Sequence, residues 1–362
     1  MKSTLLILVF AALAHAQGRG PGQGQAPQGK AAPAPPLMEC GAHGDTEILC
    51  GTKSPEDLEL TPDGKFLIVP QMVNGRGGPN LSEGLTIFDI AKKTYAKLPV
   101  TAEPRKDWGD ASCPGPIGDA LIPHGISLGK RAGGAWQLYA VNHGARQSIE
   151  MFELKQAAGS WSLVWHGCVP TMQEFNDVAV LPDGGFIATH PTAIQVQGAD
   201  LFAGGPSGYV SRWTAGKGEM ELPDTRRGYP NGVLVSADGR TMYYNAWTAK
   251  EVHKYDLKEN KETGVVKLDF LPDNITWTSK HRMLAAGVKG TRGDCPAGSG
   301  TPCIQGFGIA EIDPAKMTAT TVFDSTGKGA LIGGVSVALE VGNSIYIGSF
   351  QGDRLVKLPV KK

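Results

Sequence analysis

The sequence predicts an all-β chain: a six-bladed β-propeller with four-stranded blades, its ring closed by an N-terminal strand that completes the last blade. Three observations predict it. One phrase recurs six times, in which a polar residue opens a short apolar strand, a turn follows, and a second strand returns. Helical periodicity is scarce while 49 Gly and 25 Pro punctuate short strands, which is the pattern of an all-β fold. The last unit supplies three strands where four are needed, and a strand-like segment stands unused ahead of the first unit.

The units follow in order. Asp57 opens Asp57-Leu58-Glu59-Leu60 before the turn Pro62-Asp63-Gly64 and the strand at 66–69. His124 opens 124–128 before 136–143, and Asn176-Asp177 opens 177–181 before the turn Pro182-Asp183-Gly184 and 186–189. Asn231 opens 231–236 before Ala237-Asp238-Gly239 and 241–247. Asp273-Asn274 opens 274–277 before 283–288, and Ser336 opens 336–341 before 344–350. Most copies add a third strand, as at 84–90, 147–154, 208–214, 251–257, 307–313 and 354–360. Units of this length and regularity argue against a β-sandwich. The segment Thr46–Cys50 pairs with the last sheet, so that neither end of the chain leaves a bare edge. A ring brings all six opening residues to one central axis. Asp, His, Asn-Asp, Asn, Asp-Asn and Ser together have the chemistry of an oxygen-rich metal site.

Residues 1–16 read as a secretory signal: Lys2, an apolar run from Leu5 to Leu13, then Ala14-His15-Ala16, with cleavage before Gln17. The apolar stretch is short for a bilayer span, so no membrane span is expected after its removal. Residues 17–38 are rich in Gly, Pro, Gln and Ala and read as a disordered tether. Residues 39–362 form a single propeller domain, and the address is secreted or periplasmic. Lys plus Arg number 35, as do Asp plus Glu, so the electrostatic footprint of a nucleic-acid binder is missing. Six cysteines behind a signal make disulfides plausible, with 15 connectivities open. Cys295 and Cys303 flank one loop and would staple it. Cys113 and Cys168 both lie in connections leading to an opening strand and are placed to meet, which leaves Cys40 with Cys50. No C-x-x-C, H-E-x-x-H, G-x-S-x-G or phosphate-binding glycine loop occurs.

The phrases Glu56-Asp57-Leu58-Glu59, Pro123-His124-Gly125-Ile126-Ser127, Val141-Asn142-His143, Asn176-Asp177-Val178, Asn231-Gly232 and Asp273-Asn274-Ile275 stand in one order along the chain. In that order they resemble the paraoxonase (arylesterase/lactonase) family. The chain resembles more loosely the wider group of gluconolactonase-like and senescence-marker-like six-bladed propellers. The resemblance runs from about Cys50 to Leu358. It implies two Ca2+ ions in the central tunnel. Glu56, Asn176, Asn231, Asp273 and Asn274 would hold a catalytic ion; Asp57, Asp177 and the backbone carbonyl of Ile126 would hold a structural one. It also makes His124 the general base that activates water and His143 the partner that orients it.

The residue chemistry agrees with these roles. Calcium takes six to eight hard oxygen ligands, which carboxylates and Asn carbonyls provide. Neighbouring side chains on a strand point opposite ways, so Glu56/Asp57 and Asn176/Asp177 can each serve two ions. Two carboxylates and three neutral Asn leave the catalytic ion electrophilic enough to polarise an ester carbonyl. Histidine titrates near neutral pH, as a general base must. Singly, each Asp or Asn also fits a turn or strand cap, and the two histidines also fit structural caps at the tunnel mouth.

Departures from the family pattern fall on the pocket wall. Ala188-Thr189-His190-Pro191 stands where the family has an Asp-His pair, and Gly287-Val288-Lys289 where it often has a His. No cysteine follows Cys303, so the family's end-to-end disulfide has no equivalent. Loops at 70–83, 103–122, 190–208 and 287–306 are expected at the mouth; Trp108 and Phe202 within them either meet an apolar acyl chain or simply pack. The expected function is an exported calcium-dependent hydrolase of small lactones and, secondarily, aryl esters. Sugar-lactone or phosphotriester hydrolysis on the same scaffold, and a calcium-stabilised binding propeller without catalysis, are the alternatives.

Overall fold

The computed structural model describes residues 36–72, 84–195, 203–290 and 306–360. Six sheets follow one another around a ring, antiparallel except for one added edge strand, and in blades 1, 3, 4 and 5 the inner strand comes first in sequence. Blade 1 contains Glu59–Leu60, Phe66–Pro70, Leu85–Asp89 and Thr94–Lys97. Blade 2 runs through Pro123–Lys130, Trp136–Asn142, Ser148–Ala157 and Ser160–Pro170. Blades 3, 4 and 5 begin with the inner strands Val178–Val180, Pro230–Val235 and Leu271–Trp277, and blade 6 with Val335–Val341.

The ring closes as the sequence predicts. Thr46–Cys50 pairs antiparallel with Arg354–Pro359, with Ile48 opposite Val356 and Leu49 opposite Leu355. Two sheets exceed four strands. Gly41–His43 adds a fifth to blade 6, and Val100–Ala102 adds a fifth to blade 2 by pairing parallel with the strand Ser160–Pro170. Each addition covers an outer edge that would otherwise expose unpaired N–H and C=O groups. Among the described residues, Met38 ties the N-terminal segment to blade 6: its N–H donates to Ala330 O and its carbonyl accepts from Arg354. The disulfides Cys40–Cys50 and Cys113–Cys168 are both formed. The Cys295–Cys303 pairing, the signal segment, residues 17–35 of the tether and Phe202 lie outside the described residues. Among the described residues, no helix is long and apolar enough to cross a membrane.

The core lies between blades, where alternating strand residues from neighbouring sheets interdigitate. Leu58, Leu67 and Phe88 of blade 1 pack with Val337 and Tyr346 of blade 6, sealing the first blade to the last. Tyr139 and Met151 of blade 2 meet Phe186 and Trp213 of blade 3 in the same way. Each large side chain buried so contributes about 1.5–3 kcal/mol. The Asp-Gly turns that separate first and second strands place Gly64, Gly184 and Gly239 at φ of 70°, 86° and 70°. Only glycine adopts that conformation without a Cβ penalty, which explains why the turn phrase recurs.

A bulge displaces the opening residues from the ladder in four blades. Register shifts fall between Pro123 and Ile126, Pro230 and Val233, Pro272 and Ile275, and Val335 and Ala338. The bulged residues are His124-Gly125, Asn231-Gly232, Asp273-Asn274 and Ser336-Val337. A bulge re-aims side chains and frees their backbone from pairing. In blades 1 and 3 the openers Glu56-Asp57 and Asn176-Asp177 stand just ahead of the inner strands Glu59–Leu60 and Val178–Val180. All six blades therefore present polar residues at the same end of the tunnel.

Candidate metal and catalytic site at the tunnel mouth

The glycines beside two openers let inner strands approach closely. A Cβ on Gly125 would lie 2.2 Å from Asp177 Oδ1, and one on Gly232 would lie 2.5 Å from Asp273 O. This close approach gathers the expected residues. Glu56, Asp57, Asn176, Asp177, Asn231, Asp273 and Asn274 are all buried, none more than 6% exposed. Asn274 Nδ2 donates to Glu56 Oε1 at 2.8 Å, and Ser336 Oγ donates to Glu56 O at 2.5 Å. The Asn231 side chain bonds the Asp273 carboxylate, while Asn245 Nδ2 donates to Asp273 O at 2.7 Å.

These bonds consume the amide donors and leave oxygens over. Glu56 Oε2 and the Oδ1 atoms of Asn176, Asn231 and Asn274 are buried without a hydrogen-bond partner. Buried polar oxygens are costly when unpartnered, and four belonging to one expected ligand set fit a hard cation. Charge makes the same demand. Burial pushes the Glu56 carboxyl up to about 8, against the Asn274 hydrogen bond. Burial followed by repulsion from Glu56 holds Asp57 and Asp273 well above the usual range; for Asp177, burial is followed by repulsion from Asp57. Among the described residues, none of these four carboxylates pairs with Lys or Arg. Like charges buried together require a cation or protonation. Among the described residues, no three His, Cys, Asp or Glu side chains gather into a metal site by themselves, so a site here depends on its Asn oxygens.

The second expected set is bonded differently. Asp57 Oδ1 accepts from Leu58 N and Oδ2 from Ile126 N, both at 2.8 Å. Asp177 Oδ1 accepts from Val178 N and Oδ2 from Val233 N, both at 2.7 Å. Both carboxylates thus clamp an inner strand to that of the next blade. Their oxygens retain further lone pairs, but none is orphaned as in the first set.

His124 is 14% exposed, and its Nε2 lies 3.5 Å from Glu56 Oε1. Its Nδ1 is 2.8 Å from His143 Nε2, and His143 Nδ1 is 2.7 Å from Gln147 Oε1. Burial lowers both imidazoles to about 4: for His124 against the charge of Glu174, for His143 together with repulsion from His124 and against the Gln147 bond and Glu174. Both rings are neutral at pH 7, as a proton acceptor requires.

Several wall candidates turn out to pack. His190 is fully buried, its Nε2 3.0 Å from Ser211 Oγ and 2.6 Å from Glu219 Oε1, its ring against Phe175 and Tyr209. Trp108 is 3% exposed, between Tyr139, His166 and Arg131. Lys289 pairs with Asp269 and Asp324, both at 2.8 Å. Two contributors escaped the sequence reading. Asn245 had a signal, since it stands near the end of a second strand, much as Asn142 ends its own. Gln147 had none, because a Gln in a hairpin turn is unremarkable by type.

Fold and site define a six-bladed propeller with an oxygen-lined tunnel mouth and an adjoining histidine pair. Residues 122–292 match the family model described as SMP-30/Gluconolactonase/LRE-like region. Human serum paraoxonase/arylesterase 1 is 26% identical over 237 residues, 61% of this chain and 62% of the relative, so less than two thirds of that relative's length is spanned. Human serum paraoxonase/lactonase 3 is 27% identical over 244 residues, 63% of this chain and 66% of the relative. Two solved structures share the fold: a gluconolactonase from Xanthomonas campestris (TM-score 0.50, 16% identity, 91% of this chain and 97% of that one) and a luciferin-regenerating enzyme (TM-score 0.51, 13% identity, 87% and 98%). Over residues 122–292 the chain is thus similar to the gluconolactonase-like group of propellers, and human paraoxonases are similar to it at 26–27% identity.

Proposed function

We propose that this protein is an exported calcium-dependent hydrolase of small lactones, with aryl esters as secondary substrates. The observation that carries the proposal is the junction of an orphaned-oxygen set with a neutral histidine pair, 3.5 Å apart at Glu56 and His124. Glu56, Asn176, Asn231, Asp273 and Asn274 would hold calcium, which when bound supplies a Lewis acid for the substrate carbonyl. Asn274 fixes the Glu56 carboxylate, and Asn231 fixes that of Asp273. His124 Nε2 takes a proton from the attacking water, and His143 holds the His124 ring in place through Nδ1. Asp57, Asp177 and the Ile126 carbonyl are the candidate second site, where an ion would reinforce the clamps between blades. The signal-like segment at 1–16 and the two disulfides support export.

The test is hydrolysis of a panel of alkyl lactones, sugar lactones and aryl esters by the mature protein, with calcium and after chelation. Calcium-restored turnover of a lactone is expected, and the preferred ring names the substrate class. No turnover on any member, with calcium still raising the melting temperature, would replace the enzyme with a binding propeller.

A further inference from the structure

The turn between Trp136–Asn142 and Ser148–Ala157 is anchored on both sides of Gln147. Asn142 Oδ1 accepts from Gly144 N at 2.9 Å, and Asn142 Nδ2 donates to Arg146 O at 2.7 Å. Arg146 grips the buried Glu150 carboxylate through Nε at 3.0 Å and Nη2 at 2.8 Å, and Thr171 N donates to Gln147 O at 3.0 Å. So much fixation of one short turn delivers the Gln147 amide to His143 Nδ1.

A neutral imidazole carries one N–H and one lone pair. In the row Gln147–His143–His124, each contact therefore has one donor and one acceptor, and the choice at one end settles the other. We propose that Gln147 is a positioning residue that sets the direction of this row: its Oε1 accepts from His143 Nδ1–H, His143 Nε2 accepts from His124 Nδ1–H, and His124 Nε2 is left with a bare lone pair. With the amide reversed, His143 would donate from Nε2, and His124 would carry its proton on Nε2, where it accepts nothing. A second observation favours the first order. His124 Nε2 stands 3.5 Å from Glu56 Oε1, beyond the roughly 2.7–3.2 Å of an N–H···O bond, although that oxygen is an acceptor and takes a bond from Asn274 at 2.8 Å. An N–H on His124 Nε2 would have drawn the two together. The use of this lone pair in catalysis rests on the hydrolase reading, whereas the order of protons does not.

The experiment is 15N NMR of histidine-labelled full-length protein at neutral pH, comparing wild type, Gln147→Glu and Gln147→Met. Wild type and Gln147→Glu are expected to show both His143 and His124 protonated at Nδ1, since the carboxylate is an obligate acceptor. Gln147→Met is expected to show a mixture, with part of the His124 population protonated at Nε2. A His124 protonated at Nε2 in wild type, or tautomers unmoved by Gln147→Met, overturns the proposal. On the best lactone, kcat of Gln147→Met should fall about tenfold, a fraction of the roughly 10²–10⁴ that a positioned base supplies. KM should hold within about twofold, and Gln147→Glu should recover most of kcat. An unchanged kcat beside mixed tautomers overturns the positioning role. Absence of hydrolysis by wild type overturns the hydrolase reading alone, because the spectra still decide the proton order.

Discussion

Asp273 and Asp57 are both buried carboxylates at the same end of the tunnel, yet their bonding separates their roles. The Asp273 side chain is held by an Asn whose own Oδ1 is unpartnered, which is a ligand's setting. Asp57 spends both oxygens on backbone amides of two blades. Asp273→Ala should cut hydrolysis by at least about 10–100-fold with the fold retained, judged by steady-state kinetics beside circular dichroism; even the hydrogen-bond partners of a coordinating group typically matter that much. Asp57→Ala at saturating calcium should lower the melting temperature, because two buried N–H groups lose their acceptor at about 1–3 kcal/mol each. Wild-type turnover in the first variant would remove the ion from catalysis, and an unchanged transition in the second would remove the clamp. The residue types were legible in the sequence, since acidic and amide residues open four of the six units and together suit an oxygen-rich metal site. Which oxygens stay unsatisfied was not, because that depends on distant partners, 218 positions away for Glu56 and Asn274.

An inner strand's register decides which face its opener presents, and here a bulge sets it. Gly125 and Gly232 follow their openers directly and take the place where the next blade's backbone passes. Gly125→Ala would drive a methyl to 2.7 Å from Asp177 Cα as well as onto its carboxylate. We expect a loss of about 1–3 kcal/mol or more, the usual result of overpacking, read as an earlier denaturant midpoint. Calcium affinity should fall with it, since the strand carrying Asp177 must shift; a midpoint within error of wild type would refute the close-approach role. The short strands and their Asp-Gly turns were readable from local pattern. The fifth strands were not. Val100–Ala102 is exposed at all three positions and pairs in parallel, so its sequence lacks the alternation that marks a half-buried strand.

The whole ring depends on joining residues 46–50 to 354–359, a contact between the two ends of the propeller that counting strands per unit predicts. Removing the chain through Cys50 should strip two strands and one disulfide from blade 6 together. The truncated protein should then unfold at lower temperature and aggregate through the bared edge, as scanning calorimetry and light scattering would report. A truncation as stable and monodisperse as the parent would show the closure to be dispensable. Within blade 2, by contrast, a single hairpin sets His143, just past the end of the second strand, against His124, which opens the first.

The sequence by itself determined the repeat, the ring, the strand that closes it and the residue types at the axis. Each of these is written in local alternation, turn chemistry and counting. Tertiary structure alone decided that His190, Trp108 and Lys289 turn away into packing and ion pairs, that Asp57 and Asp177 clamp neighbouring blades, and that Gln147 faces His143. A side chain's partner is chosen by which backbones meet: for Asp57 and Asp177 they belong to neighbouring blades, and for His190 and Gln147 to the hairpins of a single blade.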